Sequence, residues 1–412
     1  MTSASLSEGI EDTRPRGWAA LLLHHLQISS LRLSSFVLGI FLPFITADLG
    51  LTPLQAGLLQ GVWWITAALA VLPFGIWLSR FRPIPMNLIS LLLVTPFLFA
   101  QGLAFNFLSL FMARFFAALF HMIGLAARPM LFQQWAARRQ YTLINAVGLS
   151  QHSLLLAIAI STGALLITAL GSWRLAYFGQ GAFLLAQVLA WVIVARESRA
   201  PTHELGQALH TASQTPLSAL RAYPQGWLIG LVMFSLSATW TAIVTFLPTL
   251  MAEERDIPLS LGGPLLGFLY YGLIPGALLG SYINRRATNR RLLLTIPALL
   301  NVVLALGITL THGIVPLAVL IAGMGLVWIA VPALEMLPFE FEDIAPREVA
   351  AMSALVVTLS ALGFAAGPMI TGAVAQLTGS LQTGLLAMSL ASGVGVVAGI
   401  FYPANVAETQ GT

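Results

Sequence analysis

From residue 26 to residue 403 the chain is a succession of apolar runs, each about twenty residues long, broken by short polar stretches that hold most of its arginines. The hydrocarbon core of a bilayer, about 30 Å thick, needs roughly 20 such residues per spanning helix. The pattern predicts twelve helices, over 26–47, 55–77, 86–103, 108–133, 143–170, 174–196, 226–250, 262–283, 292–311, 314–336, 348–376 and 381–403. A transmembrane barrel would need short alternating strands, and these runs are continuous and rich in Leu and Ala. The longest internal polar stretch, Arg196 to Gln225, contains Pro201, Pro216 and Pro224 and reads as a linker. The expected organisation is a tail at 1–25, a six-helix bundle at 26–196, a linker at 197–225, a second six-helix bundle at 226–403 and a tail at 404–412. The fold class is an all-α membrane protein built from two pseudo-symmetric bundles.

The two halves repeat. Pro43 recurs as Pro248, Gly57 as Gly262, Gly75 as Gly280 and Arg80 as Arg285, each pair 205 residues apart. Paired repeats in a membrane protein commonly hold a substrate path between them, opened to alternate sides by rocking one half against the other.

Composition agrees with this pattern. With 58% hydrophobic residues, 8% charged residues and a mean hydropathy of +0.88, the chain has far fewer charges than a soluble domain. The nineteen basic residues are all arginine, and their placement sets an orientation. If residue 1 is cytoplasmic, fourteen of them fall on the cytoplasmic side and only Arg174 and Arg255 outside, which places both termini in the cytoplasm and the protein in a bacterial inner membrane. The net charge of +4 thus reflects topology, and no folded basic face remains for a nucleic acid. The polar segment Thr2 to Gly17 does not resemble a cleavable secretion signal, so the first helix is expected to direct insertion. Cysteine is absent, which excludes disulfides and thiolate metal sites. No cofactor is implied, no nucleophile lies beside a base, and the short loops leave no room for a catalytic domain. The chain reads as a monomer surrounded by lipid.

The second helix ends Gly75-Ile-Trp-Leu-Ser79-Arg80, and the eighth ends Gly280-Ser-Tyr-Ile-Asn284-Arg285-Arg286. These stretches resemble the Gly-x-x-x-Asp-Arg loop of the major facilitator superfamily, and the resemblance extends over the whole chain through the helix count and Arg114 in the fourth helix. It implies a transporter in which Gly75, Ser79, Arg80, Gly280, Asn284 and Arg285 belong to a gate. The carboxylate of the motif is Ser79 in one half and Asn284 in the other, so the charge network that the resemblance implies there lacks its acid. Within the superfamily, Arg32, Gly39 and Pro43, followed by Asp48-Leu49-Gly50, are similar to the cyanate and nitroimidazole transporter branch. The Pro that follows the branch's arginine is Leu33 here, and its Gly-Pro pair is Gly39-Ile40.

A substrate site is expected where charge is carried into the bilayer at a cost. An Arg at the centre of a spanning helix costs about 2.5–3.5 kcal/mol on the insertion scale. Arg32 lies in the first predicted helix with Phe36, Gly39 and Pro43 on its face. In the fourth helix Arg114, His121 and Arg128 are seven residues apart, nearly two turns, so they share a face at intervals of about 10 Å. Guanidinium groups suit carboxylates and planar oxyanions because their donors lie in one plane. The alternative is structural: arginines within two turns of a helix end snorkel or bond carbonyls of neighbouring helices. Phe36, Gln151, His152, Trp240, Thr241 and Trp328 are further candidates, with Trp64 and Tyr270 among the aromatic residues away from the interfacial belt. Glu335 is the deepest acid and the candidate for gating or coupling, together with a possible coupling proton on an imidazole.

Two transport readings follow. In the first, a secondary active or facilitative transporter, a symporter where a proton is coupled, moves a small organic or inorganic anion by alternating access. In the second, an exporter of the drug/proton antiporter type carries hydrophobic or cationic compounds in an aromatic pocket, and the arginines are structural.

Overall fold

The computed structural model describes residues 12–78, 81–137, 140–196, 219–274, 289–341, 344 and 346–404, and within them the chain forms helices and no strand. The helices are α1 (Pro15–Phe36), α2 (Leu38–Leu49), α3 (Pro53–Leu78), α4 (Pro83–Gly102), α5 (Phe107–Trp135), α6 (Tyr141–Leu170), α7 (Trp173–Val194), the short α8 (Ala219–Ala222), α9 (Gln225–Glu254), α10 (Leu259–Tyr271), α11 (Arg290–Leu310), α12 (Ile314–Val327), α13 (Val331–Met336), α14 (Pro346–Thr378), α15 (Leu381–Ala391) and α16 (Gly393–Phe401). Eleven of the twelve expected segments coincide largely with helix, and the eighth, 262–283, is helix as far as Tyr271, with residues 275–283 outside the described part of the chain. Among the described residues nine helices are long and apolar enough to cross a bilayer, or ten with the bent pair α1 and α2.

Burial is inverted relative to a soluble protein. Leu189, Val315 and Phe401 are 61–75% exposed, whereas Gln27, Ser34, Asn87, Gln101 and Asn301 are buried. In hydrocarbon the chain must satisfy its own polar groups, so these face inward and the aliphatic residues face lipid.

Three departures from the expected helices have local causes. The first helix begins at Pro15 rather than at 26, because proline is suited to the first helical position and Thr13 ties the start to the end of α5. Its hydroxyl accepts from Ala137 N at 2.9 Å, and its own N–H donates to Gln140 Oε1 at 3.0 Å. Residues 15–25, expected as tail, are therefore helix. The same segment then bends by 44° at Val37, dividing it into α1 and α2. The tenth segment is broken by a 3₁₀ turn, Trp328–Ala330, because Pro332 has no N–H to give to the carbonyl of Trp328.

The described helices group into two units, and the division differs from the two halves expected from the sequence. One unit comprises residues 1–35, 69–156 and 166–213, in which α4 packs along α5 and α7. The other comprises residues 36–68, 157–165 and 214–412, in which α9 packs along α14 and also against α2. Within this second unit, parts of both sequence repeats meet. A Cβ on Gly39 of α2 would fall inside the carbonyl of Val244 of α9, and one on Gly57 of α3 would fall inside that of Pro368 of α14. Gly263 of α10 lies likewise against the carbonyls of Ile160 and Ser161 in α6, at 2.9 and 3.0 Å from its would-be Cβ. Residues 39 and 244 are themselves 205 apart, so the repeat folds equivalent positions onto one another. On the other flank of α14, Gly363 and Gly367 admit the backbone of Phe234 and Ala238.

These crossings allow no methyl group. Gly39→Ala should destabilise the protein by about 1–3 kcal/mol, the usual cost of overpacking, because the obstructing atoms are backbone and cannot rotate away. Gly179→Ala, where nothing lies within 4 Å of the would-be Cβ, should leave stability unchanged or slightly raised. Thermal unfolding of the two purified variants, followed by tryptophan fluorescence, checks this.

Candidate functional site

In the first unit, Arg114 is fully buried on α5. Its Nη1 donates to the carbonyl of Ser34 at 3.0 Å and to Gln101 Oε1 at 3.3 Å, and the Ser34 hydroxyl donates to the same Gln101 oxygen at 3.2 Å. Ser34 lies in the last turn of α1, where helix carbonyls lose their intrahelical partners. Arg114 therefore acts as a cap at the bend, the bonding of a neighbouring carbonyl that was the structural alternative for this residue. Arg128, half-buried, donates to Asn145 Oδ1.

The remaining polar residues of α1 form a zipper. Asn87 donates to Gln27 Oε1 at 2.9 Å, Gln27 donates to the carbonyl of Gln187 at 3.3 Å, Gln187 donates to the Ser30 hydroxyl at 2.9 Å, and Gln180 donates to the Ser30 carbonyl at 3.1 Å. Such side-chain bonds between spanning helices are worth about 0.6–2 kcal/mol each.

Beside this zipper is a cluster of imidazoles. Arg32 is close enough to His25, His121 and His152 for its charge to bear on each of them, and Arg128 bears on His24, His25 and His152. The ring of His25 sits where a Cβ on Gly148 would be, and it stands edge-on to Phe132 with centroids 5.7 Å apart. His25 Nε2, His152 Nδ1 and Gln151 Oε1 are buried without a hydrogen-bond partner. Between residues 13 and 196 this unit has no Asp or Glu in its sequence, so its spans supply cations and imidazoles but no carboxylate.

The second unit holds a closed circuit of six aromatic side chains. Phe36 contacts Trp64 at a centroid distance of 5.4 Å, Trp64 stacks on Phe364 at 4.4 Å, Phe364 meets Trp328 at 5.7 Å, Trp328 meets Trp240 at 4.6 Å, Trp240 meets Tyr270 at 5.5 Å, and Tyr270 returns to Phe36 at 6.0 Å. The indole N–H groups of Trp64 and Trp328 are buried and lack an acceptor. Thr241 is fully buried next to Trp240, but its hydroxyl is turned back onto the Ser237 carbonyl of its own helix at 2.5 Å.

The arrangement thus brings Arg32, His121, His152 and Arg128 into one polar cluster, gives Arg114 and Thr241 intramolecular bonds, and gathers Phe36, Trp240 and Trp328 into the aromatic circuit. Gly75 lies in α3 and Glu335 is exposed on α13. Ser79, Arg80, Gly280, Asn284 and Arg285 lie outside the described residues. Sequence reasoning missed His24, His25, Gln27, Asn87, Gln101, Gln187 and Phe364. Amides inside apolar runs were the available signal for three of them, Asn87, Gln101 and Gln187.

The sequence profile of the Major Facilitator Superfamily matches residues 26–340. The chain belongs to the major facilitator superfamily. It is accordingly a multi-pass membrane transporter and not an enzyme. No curated protein sequence matches it. Among solved structures, this major facilitator is similar to a bacterial homolog of the human lysosomal transporter Spinster in an inward-facing, occupied conformation, with 17% identity, a TM-score of 0.73, and coverage of 95% of this chain and 97% of that one. It is also similar to the nucleoside transporter NupG, with 13% identity, a TM-score of 0.71, and coverage of 94% and 98%. At these identities the likeness is one of fold, and the superfamily resemblance read from the loop motifs holds at that level. The cyanate and nitroimidazole branch finds no counterpart among these relatives.

If Arg114 is a cap, its loss is felt in stability before function. Arg114→Gln should destabilise the protein by about 1–3 kcal/mol, the cost of a buried carbonyl left without its donor. Arg114→Lys should recover only part of this, since a single ammonium cannot reproduce the planar fork. Thermal melts of both variants, set beside their substrate concentration dependence in flux assays, separate this role from ligand binding, which would raise KM at unchanged Tm.

Proposed function

We propose that this major facilitator is a secondary active or facilitative transporter that moves a small organic or inorganic anion across the membrane by alternating access. The observation that carries the proposal is the gathering of Arg32 with His25, His121 and His152 in a unit whose spans contribute no carboxylate. Arg32 offers paired donors in a plane, the geometry that a carboxylate or planar oxyanion accepts. Imidazoles can donate or accept, so they complete the anion's shell and provide a carrier for a coupling proton. Arg114 holds α1 at its bend and so positions Arg32, which is one helical half-turn earlier, without touching the anion. The expected setting is a monomer in a bacterial inner membrane with both termini cytoplasmic, as the arginine asymmetry favours.

The aromatic circuit favours a second reading, an exporter of hydrophobic or cationic compounds. Six rings with two indole donors left over make a surface for a flat or cationic guest.

Flux into liposomes decides between them. Arg32→Gln should abolish uptake of the transported anion while insertion and folding stay normal, and full activity in that variant removes the anion reading. Under the second reading the pattern reverses: Trp64→Ala and Trp328→Ala abolish flux of a hydrophobic cation, and Arg32→Gln is tolerated.

A further inference from the structure

At the end of α9 remote from the linker, the second unit has an open-sided cavity of about 410 Å³ that none of the sites above uses. Its walls come from α2, the start of α3, α9 and the turn between α14 and α15. Leu42, Leu51, Phe246 and Leu381 supply an apolar lining, and Glu253 and Glu254 lie at its acidic end. The two carboxylates differ in their engagements. Glu254 Oε1 accepts the backbone N–H of Leu381 at 3.1 Å, while Glu253 is exposed and, among the described residues, faces no basic group. Arg255, next in the chain, donates to the carbonyls of Ile308 at 3.1 Å and Thr309 at 2.5 Å, and its charge bears on Glu254. A second feature points to a guest. Thr249 lines the cavity, is 6% exposed, and its hydroxyl oxygen has no hydrogen-bond partner. The neighbouring hydroxyls on α9, those of Thr239, Thr241 and Thr245, all bond carbonyls of their own helix, so Thr249 departs from the habit of its helix.

We propose that this cavity binds an organic ammonium ion with an apolar body. The charge sits at Glu253 and Glu254, the hydrocarbon or aromatic part lies against Leu42, Phe246 and Leu381, and the Thr249 hydroxyl takes a polar substituent. A bare divalent cation is a poorer fit. Magnesium and calcium require about six or more oxygen ligands gathered round one point, whereas the two carboxylates lie at one end and Leu42, Leu51, Phe246 and Leu381 occupy much of the remaining wall. An organic cation needs only the charge and the apolar wall. The site lies apart from Arg32 and its imidazoles in chemistry and in unit, and it stands whether or not the transported species is an anion.

The test uses the full-length protein in detergent, with benzyltrimethylammonium as the probe and isothermal titration as the readout. Saturable one-to-one binding is expected. Glu253→Gln should weaken it about tenfold, as loss of one charge a few ångströms from the cation in a half-wet site implies. Glu253→Asp should bind within about threefold of the parent, and Arg32→Gln should bind as the parent does. Because Glu253 is exposed, the Gln variant is expected to melt with the parent protein; if it does not, the charge-retaining Asp variant and the Arg32 variant carry the test. Absence of binding, equal affinity in Glu253→Gln, loss of binding in Glu253→Asp, or binding of calcium but not of the ammonium ion would each overturn the proposal. Loss of binding in Arg32→Gln would overturn it too, by showing that binding does not depend on this cavity alone. A failure of the anion reading shows instead as unaltered liposome flux in Arg32→Gln, which is a separate measurement.

Discussion

Hydrocarbon offers no hydrogen bonds, so each backbone polar group that this chain carries into the bilayer must be satisfied by another part of the chain. Much of the architecture can be read as answers to that requirement. Where α1 ends at Phe36 and the backbone bends, the Ser34 carbonyl is met by a guanidinium from α5. Along α9, a helix buried almost throughout, serine and threonine hydroxyls fold back on carbonyls four residues earlier. Pro43 and Pro248 can give no N–H to Gly39 and Val244, and those two residues meet backbone to backbone where α2 crosses α9. Glycine is required there because only a residue without Cβ lets two backbones approach so closely.

The sequence made the helices legible because span length and apolarity are imposed by the bilayer, and it made the repeat legible because proline and glycine mark backbone positions that cannot be exchanged freely. Gly363, Gly367 and Gly372 were readable as close-packing positions for the same reason, and their would-be Cβ atoms do meet Phe234, Ala238 and Pro53. Other features depend on tertiary structure and leave little local trace. His24 and His25 interrupt an apolar run, which on pattern alone resembles the edge of a tail, yet α1 continues through them and buries both. Gly148, whose missing side chain makes room for His25, reads as an ordinary helix glycine until the two are brought together. Phe364 is one of twenty-three phenylalanines, and only the packing of α14 shows that it joins two tryptophans.

The same distinction sorts the three intramembrane arginines. Spacings of seven put Arg114, His121 and Arg128 on one face of α5, the pattern of a stripe with a common purpose. The partners show that they are not equivalent. Arg114 is committed to a carbonyl that exists as an acceptor only because α1 bends, and Arg128 to an amide one helix away. Sequence periodicity identifies which side chains share a face, but the acceptors opposite that face are set by the kinks of other helices. Arg32 differs again, since its charge bears on the imidazoles of His25, His121 and His152.

That difference bears on why the chain retains an arginine at Arg32. A buried ion pair is weak evidence for stability, because desolvating both charges offsets much of their attraction. A half-buried cation such as Arg32 gains less from nearby imidazoles, for neutral rings can accept hydrogen bonds but bring no countercharge. Stability alone would favour replacing such a residue with leucine, as its neighbours Leu31 and Leu33 show the helix tolerates at adjacent positions. For Arg114 the bend of α1 supplies a structural reason for the charge. For Arg32 the proposed anion transport would supply a functional reason: a charge that arrives and leaves would make the cation favourable in the loaded protein and leave it accessible to the next turnover.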